Sequence, residues 1–366
     1  ERICTIMADG IRKFFPQADI ISIPVADGGE GSVDAFLSAQ GGEKVHMTVK
    51  GPLFEDVKVY YGIINGDTAV IEMAAAAGLP LVSEVRYPEK TTTYGVGQMI
   101  VDAAQRKCRR IIVGLGGSAT NDCGAGAAAA AGVRFLNKEG REFIPAGGTL
   151  QDVERIDMSQ LAPELAGVEI IAMCDIDNPL YGESGAAYVF GPQKGADSQK
   201  VIFLDKQLHA FSQTILRELG SDVSELPGGG AAGGLGAGMH AFFNAKLQMG
   251  IETILDVVDF NMLASDADLI LTGEGKIDSQ SVRGKVVSGV AKRASACSKA
   301  LVVAIVGDIG PDIESLYDQG LDAVFSINRV ARDFSYIKKD SPANLLLTVE
   351  NLMRFIKQYD MKLEKA

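Results

Sequence analysis

Five short segments carry the residue types that chemistry needs: ADGGEGS (26–32), GGSATND (116–122), CDIDN (174–178), GPQKGA (191–196) and TGEGKID (272–278). Most of them set glycine beside a carboxylate or a lysine. Asp27 and Glu30 flank glycines ahead of an apolar helix pattern, where an acid is either a cap favoured by the helix dipole or a base or magnesium ligand. Asp175 and Asp177 stand two apart, so in extended chain they point to the same side and need a cation, a proton or solvent between them. Lys194 in its glycine turn offers a positive charge to a moving phosphoryl group or to an acid substrate. Glu274, Lys276 and Asp278 add an acid, a cation and a second acid around Gly275, and Gly284-Lys285 follows. These parts suit phosphoryl transfer, which asks for N–H cradles, a divalent ion, a cation on the migrating charge and a carboxylate to take the acceptor's proton.

The elements that must position these loops are read from periodicity. Ile111–Val113 is a short apolar run that gives way to Gly116, Gly117 and Ser118, then Asn121 and Asp122, then a run of alanines. We read it as a buried strand, a glycine turn and a helix whose first-turn N–H groups suit an anion. Glu1–Phe15 has helical spacing, and Asp19–Val25 reads as a strand leading into the first glycine loop. Lys44–Met73 alternates apolar and polar residues with Gly-Pro and Asn-Gly-Asp turns, as strands linked by hairpins do. Strands are also expected near 134–143, 167–174, 186–190, 268–271, 300–306 and 323–327. A long helix is expected over 197–219, and a helix over 239–247 after an ordered glycine loop, PGGGAAGGLGAG (227–238). The last third alternates strand and helix, as a parallel sheet covered on both faces does. The fold class is therefore α/β, with two α/β domains and the middle one inserted into the other. In open sheets of this kind ligands bind beyond the carboxyl ends of the strands, where all five loops lie.

With 366 residues, 47% of them hydrophobic and 22% charged, the chain has material for real cores. A net charge of −12 speaks against a nucleic-acid or anionic-membrane partner, both of which want a basic face. No apolar run approaches the length of a membrane span. The five scattered cysteines show no metal or disulfide spacing, and a cytoplasmic location fits them. Two nucleotide-binding patterns bear on this sequence. The P-loop pattern is absent, because Ser279 stands where the first glycine should precede Gly284-Lys285. The dinucleotide fingerprint is half present in Gly114, Gly116 and Ala119, which leaves an NAD(P)-dependent dehydrogenase of a small hydroxy acid as an alternative. A non-catalytic sensor that binds a small acid is a third reading.

With these residues in view, the chain resembles the bacterial type I glycerate kinases. The matching strings run in order: PVADGGEGS, GPLFEDV, IEMAAAAGL, TTTYGVGQ, VGLGGSATND, CDIDNPLYGESGAA, FGPQKGA, PGGGAAGGLGAG and LTGEGKIDSQSVRGK. The resemblance implies ATP-dependent phosphorylation of D-glycerate with Mg2+, giving 2-phosphoglycerate or 3-phosphoglycerate. It also implies a discontinuous flavodoxin-like (Rossmann-like) parallel-sheet domain, carrying an inserted restriction-endonuclease-like mixed α/β domain. On that pattern residues 1–55 and 255–366 form the first and residues 56–254 the second, with the active-site cleft between them. The family opens with an apolar strand and a lysine-containing turn ahead of the helix where this sequence starts, and we expect such a strand upstream of Glu1.

From these strands of argument the expected site is as follows. Asp27, Lys194 and Asp278 are the catalytic candidates, Asp27 or Asp278 as base and Lys194 on the transferred phosphoryl group. Gly28, Gly29, Glu30, Gly116, Gly117, Ser118, Asn121, Gly273, Glu274, Gly275 and Lys285 bind ATP or the acid substrate. Asp175 and Asp122 are the candidate magnesium ligands. The partners are then D-glycerate and ATP alone, with self-association into a homo-oligomer open.

Overall fold

The structure, a computed structural model, describes residues 2–25, 31–82, 86–278, 286–330 and 338–363. The chain divides into two compact units, residues 26–250 and the pair of segments 1–25 and 251–366. Helix α1 (Arg2–Arg12) opens the chain and α2 (Ser32–Gln40) starts the middle unit.

In the middle unit, strands β1 (Glu43–Lys50), β2 (Asp56–Ile64) and β3 (Thr68–Glu72) pair antiparallel. A short α3 (Ala74–Ala77) and a longer α4 (Tyr94–Gln105) then lead to β4 (Arg110–Gly114), which lies parallel to β3. After α5 (Ala125–Ala130) a small antiparallel sheet forms from β5 (Arg134–Leu136), β6 (Glu142–Phe143) and β7 (Arg155–Asp157). Strand β8 (Glu169–Met173) returns beside β4, followed by α6 (Ala186–Phe190), α7 (Ser198–Leu219), α8 (Ala231–Phe243) and β9 (Lys246–Gln248). The main sheet thus runs β1-β2-β3-β4-β8-β9, antiparallel on one side and parallel from β3 onward. Its central strands are apolar on both faces; Ile111, Ile112 and Val113 are all fully buried, as strands covered on both sides require. Phe135, Phe211 and Phe242 meet edge-on and tilted at ring distances of 5.7–6.3 Å and anchor the small sheet to α7 and α8.

The other unit holds α9 (Gly250–Val257, counted from Ile251), α10 (Phe260–Ser265), β10 (Leu269–Thr272), β11 (Lys276–Ile277), α11 (Val286–Cys297), β12 (Leu301–Val306), β13 (Asp308–Ile309), α12 (Glu314–Asp318), β14 (Ala323–Ser326) and α13 (Ser341–Leu363). Strands β10, β12 and β14 form a parallel sheet, and β11 pairs parallel with β13. Helix α1 packs on α13, where Gly10 leaves room for Val349: a Cβ at Gly10 would stand 2.7 Å from Val349 Cγ1.

Four expectations change. Asp19–Val25 pairs with no strand among the described residues; its β-forming residues have no ladder to join. Ala186–Phe190 is helical, and its burial shows why: Ala186 and Ala187 point in while Tyr188 and Val189 point out, an order that alternation along a strand forbids. The glycine segment does lead into a helix, but the regular part of α8 starts at Leu235, after a left-handed turn at Ala232, Gly233 and Gly234, and ends at Phe243, with 246–248 in β9 instead of the expected helix to 247. Finally, residues 26–55 group with the middle of the chain. Helix α2 lies on the main sheet, where the Val33 N–H donates to Glu72 Oε1 at 2.8 Å, and β1 pairs along its whole length with β2.

Candidate active site

The loop after β4 is the most highly built polar feature of the middle unit. Gly117 turns the chain with φ +75° and is exposed. Leu79 N–H donates to Gly117 O, and Ala119 N–H donates to Ala77 O, so the turn is stitched to the segment after α3. Ser118 Oγ receives the N–H of Thr120 at 3.1 Å and lies 3.1 Å from Thr120 Oγ1. Against this loop packs the kink of α8. A Cβ on Gly233 would meet Thr120 O at 1.9 Å, and Gly233 itself has φ +70°, so only glycine serves there.

Lys194 belongs to this node. It is 3% exposed, an unusual place for a lysine, and its ammonium donates to Thr120 O at 2.6 Å and to Ser118 Oγ at 3.3 Å. Burial pushes its pKa down to about 7, opposed by the negative charge of Asp122. The GPQKG turn therefore folds its lysine inward onto the GGSATND loop, and Ser118 and Lys194 come together as their types suggested. Asn121 is fully buried in the same loop, and among the described residues neither its amide nitrogen nor its side-chain carbonyl oxygen has a hydrogen-bond partner.

Asp122 does something other than hold a metal. Its carboxylate is fully buried and accepts from the Thr93 N–H (2.7 Å), the Thr93 hydroxyl (2.8 Å), the Thr92 hydroxyl (3.4 Å) and the N–H groups of Gly124 and Gly126 (3.2 Å each). Burial raises its pKa and these donors pull it back. The Ala127 N–H donates to Thr93 Oγ1 at 2.9 Å. The first turn of α5 is thus saturated by protein groups, and the anion expected at that helix start is supplied by the chain itself. Two readings fall with this. Asp122 has its oxygens engaged and is not a magnesium ligand, and α5 offers no open N–H cradle. The half-formed dinucleotide fingerprint fails too, because ten residues separate β4 from α5 instead of a tight turn into a helix. Thr92, Thr93 and Thr120 were missed as site-building residues. The Thr91-Thr92-Thr93 run gives no local sign of this role, since Thr93 spends its hydroxyl on Asp122 and on the Ala127 N–H of α5.

Asp175, beyond β8, accepts the N–H of Gly250 at 2.7 Å, the first residue of α9. Among the described residues no group of three or more His, Cys, Asp or Glu side chains is placed to hold a metal ion.

In the other unit, Gly273 follows β10 where a Cβ would strike Ile305 O at 2.1 Å, which fixes the chain against β12. Glu274 O and Gly275 O accept from Gly307 and Asp308 N–H groups, bringing β11 beside β13. Asp278 closes the segment with its carboxylate 3.3 Å from the Lys276 ammonium, and Gly275 stands in open space. Glu274 and Asp278 therefore stand on either side of β11. Asp27, Gly28, Gly29, Glu30 and Lys285 lie outside the described residues.

A family model described as the glycerate kinase family matches residues 1–357. Glycerate kinase of Halalkalibacterium halodurans is 48% identical over 87% of this chain and 84% of its own length. Glycerate kinase of Bacillus cereus is 43% identical over 96% and 92%, and glycerate 2-kinase of Escherichia coli K12 is 45% identical over 87% and 84%. A crystal structure described as glycerate kinase 2 of Salmonella typhimurium LT2 superposes with a TM-score of 0.87 at 40% identity, over 98% of this chain and 95% of that one.

Proposed function

The chain belongs to the glycerate kinase family, ATP-dependent kinases that phosphorylate a hydroxyl group of glycerate, and from that premise we propose that its acceptor is D-glycerate and its product 2-phosphoglycerate. The name of the Escherichia coli relative, glycerate 2-kinase, supports the position of transfer. The observation that carries the reading is the node of Lys194, Ser118 and Thr120: two of the strings that mark the family fold into one buried, charged assembly.

In this proposal Gly116, Gly117, Ser118 and Asn121 in the middle unit, and Gly273, Glu274 and Gly275 in the other, hold the two substrates. Gly28, Gly29, Glu30 and Lys285 complete the set. Asp278 or Asp27 takes the proton of the attacking hydroxyl, the base that phosphoryl transfer needs. Lys194 sets the shape of its loop and supplies positive charge beside it. Mg2+ enters with the phosphates of ATP, whose oxygens suit it, and among the described residues no group of three or more His, Cys, Asp or Glu side chains gathers to hold it alone. We further propose a flavodoxin-like fold for the parallel sheet of the terminal segments and a restriction-endonuclease-like one for the middle unit. The protein is placed in the cytoplasm, in keeping with five free cysteines; no helix among the described residues is long and apolar enough to cross a membrane. Phosphorus NMR of the protein with ATP, Mg2+ and D-glycerate tests the proposal. A new phosphomonoester coupled to the C2 proton is expected; coupling to the C3 protons, or no ester, refutes it.

A further inference from the structure

Resting on that reading, we infer that the GGSATND loop is the seat of the hydroxy acid and not of ATP's phosphates, with the Asn121 amide as the group that reads it. Three observations converge. The first is chemical. Asn121 is fully buried, and both ends of its amide lack a partner among the described residues, a state that folded proteins rarely leave uncompensated. An amide offers two N–H donors and a carbonyl acceptor. A phosphate chain bearing only acceptors would satisfy the nitrogen and leave the oxygen facing negative charge. A molecule with a carboxylate next to a hydroxyl satisfies both: the carboxylate accepts from Nδ2 and the hydroxyl donates to Oδ1.

The second observation is electrostatic. One buried cation serves this loop, Lys194, and its ammonium has two hydrogen-bond partners, Thr120 O and Ser118 Oγ, with none for its third N–H among the described residues. The buried Asp122 carboxylate already opposes that charge. A single carboxylate asks less of this one ammonium than the several charges of a triphosphate would beside Asp122, even with Mg2+ neutralising part of them. The third is the helix terminus. The N–H groups that would cradle a phosphate at the start of α5 are spent on Asp122 and Thr93. The loop reaches solvent at Gly117; the acid enters from that side, parting the groups that enclose Asn121, and is shielded from water once bound.

The test uses the full chain with Asn121→Leu and Asn121→Asp. KM is measured for D-glycerate at saturating MgATP and for MgATP at saturating D-glycerate, with calorimetry of D-glycerate alone and melting of the ligand-free protein. Losing a hydrogen bond to a charged group predicts a rise of about 10-fold to 100-fold in KM for D-glycerate, with KM for MgATP unchanged. Because the free amide has no partner, Asn121→Leu melts at or above the wild-type temperature, which a merely structural asparagine would not allow. Tested as competitors of D-glycerate, D-lactate and 3-hydroxypropionate, each with one hydroxyl, should lose in Asn121→Leu whatever advantage they hold over propionate. A rise in KM for MgATP instead, no change in either KM, or failure of both variants to fold overturns the assignment. A wild-type protein that neither binds nor phosphorylates D-glycerate overturns the substrate reading itself, a result distinct from all of these.

Discussion

Lys194→Met gives a measurement whose size follows from the burial of one side chain. The ammonium stands at about 7, against 10.5 for an exposed lysine. At about 1.4 kcal/mol per pH unit, that interval amounts to roughly 5 kcal/mol. The folded value lies below the unfolded one, so between them the unfolded chain binds the extra proton and stability rises with pH. Methionine keeps the length of the side chain and removes the titration; Asp122, the acid that opposes the ammonium, is present in both proteins. The difference in unfolding free energy between wild type and variant should therefore move in favour of the wild type by about 2–3 kcal/mol from near pH 6 to near pH 9. The remainder appears only as the pH approaches the unfolded lysine's value. Urea titrations of both proteins at intervals of about half a pH unit resolve this, since each midpoint shift converts through the same slope. Parallel stability curves would refute the reasoning: the lysine would then be exposed, or its charge held by an acid the structure does not place there.

Other consequences are smaller to state. Asp122→Ala leaves the N–H groups of Thr93, Gly124 and Gly126 buried without an acceptor, and at about 1 kcal/mol or more each the loss should exceed about 3 kcal/mol by urea denaturation. Gly233→Ala places a methyl 1.9 Å from Thr120 O at φ +70°; a loss of about 2 kcal/mol is expected, together with lowered kcat/KM because the loop must shift. Phe135→Ala, deep among Phe211 and Phe242, should cost about 3–5 kcal/mol and leave KM for both substrates unchanged where the protein remains folded.

What the residues disclosed on their own was governed by how local the cause is. Strands β1 to β4 and helix α7 follow from periodicity and from caps a few residues away; Asp197 does accept the Lys200 N–H at 2.8 Å. The grammar of the polar loops was equally plain, and Ser118, Asn121 and Lys194 do share the middle unit's polar loops. The role of Asp122 was not legible, because its partners Thr92 and Thr93 lie some thirty residues earlier and meet it only through the packing of α4 on α5. Nor was the burial of Lys194: a lysine in a glycine turn reads as a surface residue, and only the kink of α8 and the loop it covers show the interior it occupies. Ala186–Phe190 misled for a related reason. Its apolar residues are β-formers by type, and the pair of alanines facing inward is a tertiary fact.

The carboxylate built into the start of α5 has a consequence for timing. A helix start that waits for a ligand's phosphate is ordered only while that phosphate is bound, and each binding event bears the entropy of ordering it. Asp122 cannot dissociate. The loop it holds takes its shape when the protein folds, at any concentration of nucleotide or acid, so that ordering cost falls once on folding stability and not on every turnover.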